Sequence, residues 1–169
     1  MTDTAAREEF AAFMAASLPS LLRYGRVLTG DAASAEELVQ DALVRTYRRW
    51  HSLRDREDPT AYVHRVMVNA HISNWRRWGS RVRLGEVKDR SGHDRSLLRI
   101  EDDEMRRALQ TLPPRQRAVL TLRYLNDLSE AETARVLGCS VGTVKSQSSR
   151  ALARLRALVE TQASSEVTR

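Results

Sequence analysis

Residues 128–156 read LSEAETARVLGCSVGTVKSQSSRALARLR, and their spacing predicts two helices joined by a sharp turn. Ser129 is placed to cap the first, with Glu132 at the reciprocal position of a capping box. Ala131, Ala134 and Leu137 form a small apolar stripe on that helix. Gly138 supplies the left-handed residue that the turn needs, and Ser140 starts the next helix. Along the second helix Val144, Ala151, Leu152, Leu155 and Val159 recur on the inward side. Thr143, Ser146, Gln147 and Arg150 stay outside, with Lys145 beside them. From Cys139 to Arg156 there are four basic residues and no acidic one.

That division suits a recognition helix, whose first half enters the major groove while its back packs on the preceding helix. Gln147 suits adenine and Arg150 suits guanine or phosphate, while Thr143 and Ser146 suit either base edges or phosphate. Arg154 and Arg156, late on the helix, fit a surface or backbone-contacting role. A helical hairpin with a merely solvated basic face would not need turn, cap and charge to agree in this way. Cys139, in the turn, reads as a small buried residue rather than a redox switch.

Upstream, a helix spans about Ile100–Thr111 and another follows Pro113–Pro114. Residues 79–100 hold three glycines, six basic and three acidic residues, and read as a flexible linker. The first half predicts helices at about 6–28, from after Ser34 to Trp50, and from Pro59 to Trp78, with a polar loop at 51–59. Asp58 before Pro59 is a strong helix start. The organisation expected is all-α. It has a helical domain at 1–80, a linker at 81–100, a winged-helix-like helix–turn–helix domain at 101–160 and a frayed tail at 161–169.

Two helices of the first half carry chemistry. In AEELVQDALVRTYRRW, 35–50, an acidic start with Leu38 and Val39 among the apolar positions makes a plausible protein-docking face. In PTAYVHRVMVNAHISNWRRW, 59–78, Val63, Val66 and Ala70 are expected in the core, flanked by Tyr62 and Met67. Arg65, Asn69 and Arg76 share another stripe with Ile72, and Trp75 and Trp78 lie to one side. Arginines, an amide and tryptophans together suit phosphate contact, base reading and stacking on exposed bases. The helical wheel puts Asn74 near the core arc.

Composition agrees with these readings. The chain has 169 residues, 41% hydrophobic and 30% charged, and a formal net charge of +6. All but two of its 28 basic residues are arginine, which favours a polyanionic partner. No apolar run is long enough to cross a membrane, and the polar start MTDTAAREEF carries no signal-peptide core. A cytoplasmic protein is expected, with no membrane insertion. One cysteine cannot build a cysteine-based zinc site, and His64 with His71 lack a third ligand. Neither a metal, a cofactor nor catalysis is expected.

Taken together, the two halves resemble bacterial sigma-70-type factors. AEELVQDALVRTYRRW resembles their core-binding helix, AYVHRVMVNAHISNWRRW their promoter-melting and −10-reading helix, and LPPRQRAVLTLRYLNDLSEAETARVLGCSVGTVKSQSSRALARLR their −35-reading domain. The resemblance covers about 7–80 and 101–158. The two-domain length, the opening FAAFMAASLPSLLRYGRVLTGD and the ending KSQSSRALARLR look like the sigma-E-like actinobacterial branch of the extracytoplasmic-function group.

The resemblance implies a protein that binds RNA polymerase core and directs initiation at promoter DNA. Glu37, Leu38, Gln40 and Asp41 would dock on the β′ clamp. Arg65, Asn69, Asn74, Trp75, Arg76 and Arg77 would engage the −10 region, with the loop 51–59 holding a flipped base. Ser140, Thr143, Lys145, Ser146, Gln147 and Arg150 would read −35 while that domain docks on the β flap. The linker would thread the polymerase channel, and an anti-sigma factor would be a typical regulator. The chain departs from the family at Asn74, a frequent aspartate. It also has Gln147, where many members carry arginine, and Ser148, where a large apolar residue is common. A response-regulator type of promoter-binding protein shares the helix–turn–helix, but residues 1–80 lack the strand–helix alternation of a receiver.

Overall fold

A computed structural model describes residues 3–55, 57–82 and 103–167, and all secondary structure among them is helical. The chain divides into two compact units, Met1–Arg95 and Ser96–Arg169. The expected linker, beyond its first two residues, lies outside the described residues.

In the first unit, α1 (Asp3–Thr29) ends at Gly30, whose φ of 92° only glycine adopts readily. The next helix, α2 (Ala32–Arg48), begins earlier than Ser34. Asp31 is its cap, with Oδ1 accepting from the Ser34 N–H at 2.8 Å. A serine three residues inside a helix is equally a partner for an upstream carboxylate, and here the carboxylate wins. The segment expected as a loop at 51–59 is partly ordered. Trp50–Leu53 form a helical turn, α3, because Trp50 and Leu53, three apart, both bury their side chains. Trp50 meets Phe10 and Phe13 at ring separations of 5.1 Å each.

Asp58 starts α4 (Pro59–Val82) as expected, its Oδ1 accepting from the Thr60 N–H at 2.9 Å. Tyr62, Val63, His64, Met67 and Val68 are the buried residues of α4. The core arc is therefore centred between Val63 and Met67, and Val66 and Ala70 are only half-buried at its margin. These residues pack with Leu21, Tyr24, Val27 and Leu28 of α1 and Ala35, Leu38, Val39 and Ala42 of α2. Gly25 lets the helices meet. A Cβ there would stand 3.3 Å from the Ala35 Cβ and 3.4 Å from the Met67 methyl.

His64 is buried edge-on to the Tyr24 ring, with ring centroids 4.7 Å apart. Burial drives its pKa from 6.5 down to about 4, the charge of Asp58 opposing the shift. The unfolded chain then takes up the proton first, so stability is lost as pH falls below about 6.5. At pH 5 the loss amounts to about 2 kcal/mol, or a melting point lower by roughly 10 °C. Thermal melts at pH 7 and pH 5 should show it, and His64→Leu should flatten the dependence. Among the described residues no three side chains are grouped to hold a metal.

In the second unit, α5 (Asp103–Gln110) leads to α6 (Pro114–Leu120), which Pro113 and Pro114 start. A π-helical turn, Thr121–Leu125, follows. The next helices are α7 (Glu130–Leu137) and α8 (Val141–Val167). No strand, and so no wing, occurs among the described residues of this unit. Leu112, Leu120 and Ala151 form one buried cluster with Leu109, Leu152 and Leu155 against it. Val119, Ala134 and Val144 form another, with Leu137 and Cys139 against it. Val159, expected inward, is 56% exposed. Ala131 is also exposed; Thr133, Ala134 and Val136 are the buried residues of α7. The helix continues through the expected tail as far as Val167, where no glycine or proline interrupts it.

Arg117 is almost wholly buried. Its Nε donates to the Leu109 carbonyl at 2.9 Å, and one terminal nitrogen donates to those of Gln110 and Leu112 at 3.0 Å each. These carbonyls lie at the end of α5 and in the turn after it; that of Leu109 also accepts from the Leu112 N–H at 3.2 Å. Burial lowers the Arg117 pKa to about 10, which still leaves it charged at neutral pH. The π turn is closed by Asn126 N–H donating to the Thr121 carbonyl at 3.1 Å. Arg123 then donates to the Leu128 carbonyl at 2.7 Å, next to the cap of α7.

Candidate functional site

The helix–turn–helix forms as its sequence dictates. Ser129 Oγ accepts from the Glu132 N–H at 3.1 Å, and the Ser129 N–H donates to Glu132 Oε2 at 2.7 Å. That second bond, first among its causes, holds the Glu132 carboxyl below its ordinary pKa. Gly138 adopts φ 63° and ψ 39°, and a Cβ there would meet nothing within 4 Å. Glycine is required here for its backbone freedom and not for space. Ser140 Oγ accepts from the Thr143 N–H at 3.1 Å, and the two hydroxyls lie 2.9 Å apart.

Val144 and Ala151, seven residues apart on α8, are fully buried and aim the opposite face outward. On that face Ser140, Lys145, Ser146 and Arg150 are exposed, and Thr143 and Gln147 are half-buried. All six expected residues therefore share the first three turns of one helix and its cap. Ser148 faces the interior, and its buried hydroxyl has no hydrogen-bond partner among the described residues. An apolar residue would suit that position.

In the first unit, residues 73–77 are all exposed. Asn74 lies seven residues after the buried Met67, so the wheel places it on the core side. It is nevertheless exposed, as are Trp75, at 55%, Arg76 and Arg77. Asn69 is exposed as well. Arg65 is not spare: it pairs with Glu57 at 3.0 Å and lies 5.4 Å over the Tyr62 ring. The side chain of Trp78 lies outside the described residues.

On α2, Glu37, Gln40 and Asp41 point outward, and Asp41 pairs with Arg45 one turn on at 3.0 Å. Leu38, expected to touch a partner, is instead 6% exposed and belongs to the core. It sits four residues before Ala42 and shares that residue's inward side. Sequence reading missed a neighbouring groove. Phe10, Met14, Leu18 and Leu22 of α1 line it with Val44 and Tyr47 of α2, around about 560 Å³, and Gln40 lies at its border. The four-residue spacing 10, 14, 18, 22 is the signal that would have found it.

The described surfaces are thus a helix–turn–helix whose second helix carries basic residues and no acid of its own up to Arg156, and a stretch of exposed asparagine, tryptophan and arginine on α4. Residues 13–81 match the family described as Sigma-70 region 2, and residues 102–155 match Sigma-70, region 4. The chain is 39% identical over 155 residues to the RNA polymerase sigma-E factor of Streptomyces avermitilis, covering 91% of this chain and 87% of that one. It is 38% identical to the sigma-E factor of Streptomyces coelicolor, covering 88% and 84%. Its fold is similar to that of the sigma factor RpoE solved with the anti-sigma factor NepR from Bartonella quintana. That likeness has a TM-score of 0.76 and 25% identity, over 90% of this chain and 98% of that one. The chain belongs to the sigma-70 family of RNA polymerase sigma factors, in its extracytoplasmic-function group.

Proposed function

We propose that this sigma factor divides its work between its units: the first grips core polymerase and opens the −10 region, and the second anchors at −35. The observation that carries the reading is the exposed stretch 73–77 of α4. An exposed tryptophan among arginines suits stacking on unpaired bases beside phosphates. Asn69 and Asn74 add amides for base edges. Capturing bases lowers the free energy of the melted strand against the cost of unstacking, a few kcal/mol for each extruded base. The turn after Leu53 is the candidate seat for one such base.

Glu37, Gln40 and Asp41 form the polymerase-docking face for the β′ clamp, and the second unit sits on the β flap. On α8, Ser140, Thr143, Lys145, Ser146, Gln147 and Arg150 face the −35 duplex. The polymerase supplies the chemistry, so the chain needs no catalytic group, and it works where polymerase is, in the cytoplasm. An anti-sigma factor that covers these surfaces is the natural regulator; the similar RpoE was solved in complex with one, NepR. Among the described residues no helix is long and apolar enough to cross a membrane.

Run-off transcription with purified core polymerase on a genomic promoter library tests the whole reading. New start points that depend on the chain are expected; none at any salt concentration would overturn it. Arg150→Ala should weaken engagement of the −35 duplex about tenfold, as for one lost base or phosphate contact, without changing affinity for core. Competition binding and footprinting separate the two effects.

A further inference from the structure

The basic face of α8 carries an acid that does not belong to it. Glu130, the first residue of α7, brings its Oε2 to 3.8 Å from the Nζ of Lys145. Their side chains are 37% and 64% exposed, so the contact adds little to folding. Its position matters more. Lys145 lies on the outward side of α8, one residue after the buried Val144, among the residues set toward DNA. The first helix of a helix–turn–helix crosses the phosphate backbone, and Glu130 is the first residue of that helix. A phosphate that approaches Lys145 must displace this carboxylate or lie beside it.

Glu132, two residues on, is committed to the Ser129 cap, so its charge is tied to the fold. Glu130 makes no hydrogen bond of that kind. From Cys139 to Arg156 there is no acid of α8's own to perform the same task.

We infer that Glu130 is an affinity-setting residue: by holding Lys145 it removes one phosphate contact from duplex binding by the second unit. The inference rests on the reading of α8 as the −35-facing helix. Its physical content is a counterion supplied by the protein. Each phosphate that a protein neutralises steepens the fall of log K with log salt by about 0.9. Freeing Lys145 adds one such contact, and it also removes a negative charge that repels the duplex. Weak non-specific attachment is of use to a protein that must leave wrong sequences quickly, and Glu130 supplies that weakness while base-reading residues stay in place.

The test uses the full chain and a short duplex of mixed sequence, followed by fluorescence anisotropy across a salt series. Glu130→Gln should bind about fivefold more tightly at low salt, with a slope steeper by about one. The gain from Glu130→Gln should vanish when Lys145→Met is already present. A purely structural Glu130, favourable at a helix start, predicts the opposite: weaker binding by Glu130→Gln and an unchanged slope. Equal affinity and slope for both proteins, or no duplex binding by either at low salt, overturns the inference. If run-off initiation by the native chain persists in that case, the sigma-factor reading stands and only the role of Glu130 falls. Duplex binding by Glu130→Gln alone would support it.

Discussion

Arg117→Met should remove a large part of the second unit's stability, about 2 kcal/mol or more. The side chain answers three carbonyls, those of Leu109, Gln110 and Leu112, from inside the protein. Methionine fills much of the volume and donates nothing. The Leu109 carbonyl keeps the Leu112 N–H, while those of Gln110 and Leu112 lose their side-chain donor; at about 1–3 kcal/mol for each, a loss of at least about 2 kcal/mol is expected. A small domain has only about 5 kcal/mol or a little more in hand. Arg117→Lys should recover only part of the loss, because a compact ammonium cannot reach across three carbonyls as the guanidinium fork does. The readout is convenient, since all three tryptophans, Trp50, Trp75 and Trp78, lie in the first unit. Helical circular dichroism should fall while tryptophan fluorescence reports a first unit unchanged. An unchanged denaturation midpoint by both probes would show that the carbonyls find other donors.

Asp41→Arg should lower affinity for core polymerase by about tenfold or more, through a like-charge or unpaired contact at the docking face. The variant is clean because Asp41 is exposed and meets only Arg45, in a surface pair worth about 0.5 kcal/mol. Competition for purified core against an unmodified reference sigma factor measures the effect. Duplex binding by the second unit should not change. Retained core affinity in a folded variant would move the docking face away from the acidic side of α2. Leu38→Ala is a poor probe of that face, since it would empty part of the core and report on folding.

What could be read in advance was the local chemistry. The Ser129 box, Gly138, Ser140 and Asp58 are signals complete within four or five residues, and each formed as its spacing required. What escaped was whatever depends on the packing of neighbouring helices. Asn74 and Val159 have the periodicity of core positions, yet both are exposed. The short helix Trp50–Leu53 hid in a polar segment because two apolar side chains three apart sufficed to order it. Arg117 resembled every other arginine in an arginine-rich chain, although its role is to satisfy backbone rather than phosphate. Leu38 reads as part of a docking face because acids flank it, yet its own direction follows Ala42 and it is buried.

The π turn at Thr121–Leu125 has a consequence for the spacing of the chain. A wide turn spends one residue more than the α-helix would on the same advance, so removing any one of those five would let the segment wind regularly. The backbone beyond would then swing by about 100° around the axis. Arg123 would no longer face the Leu128 carbonyl, and Asp127, now at a φ of 53°, would have to find another path. Length between Pro114 and Ser129 is thus a geometric constant of this molecule. A single-codon deletion there would turn α8 away from its place against α6 and α7.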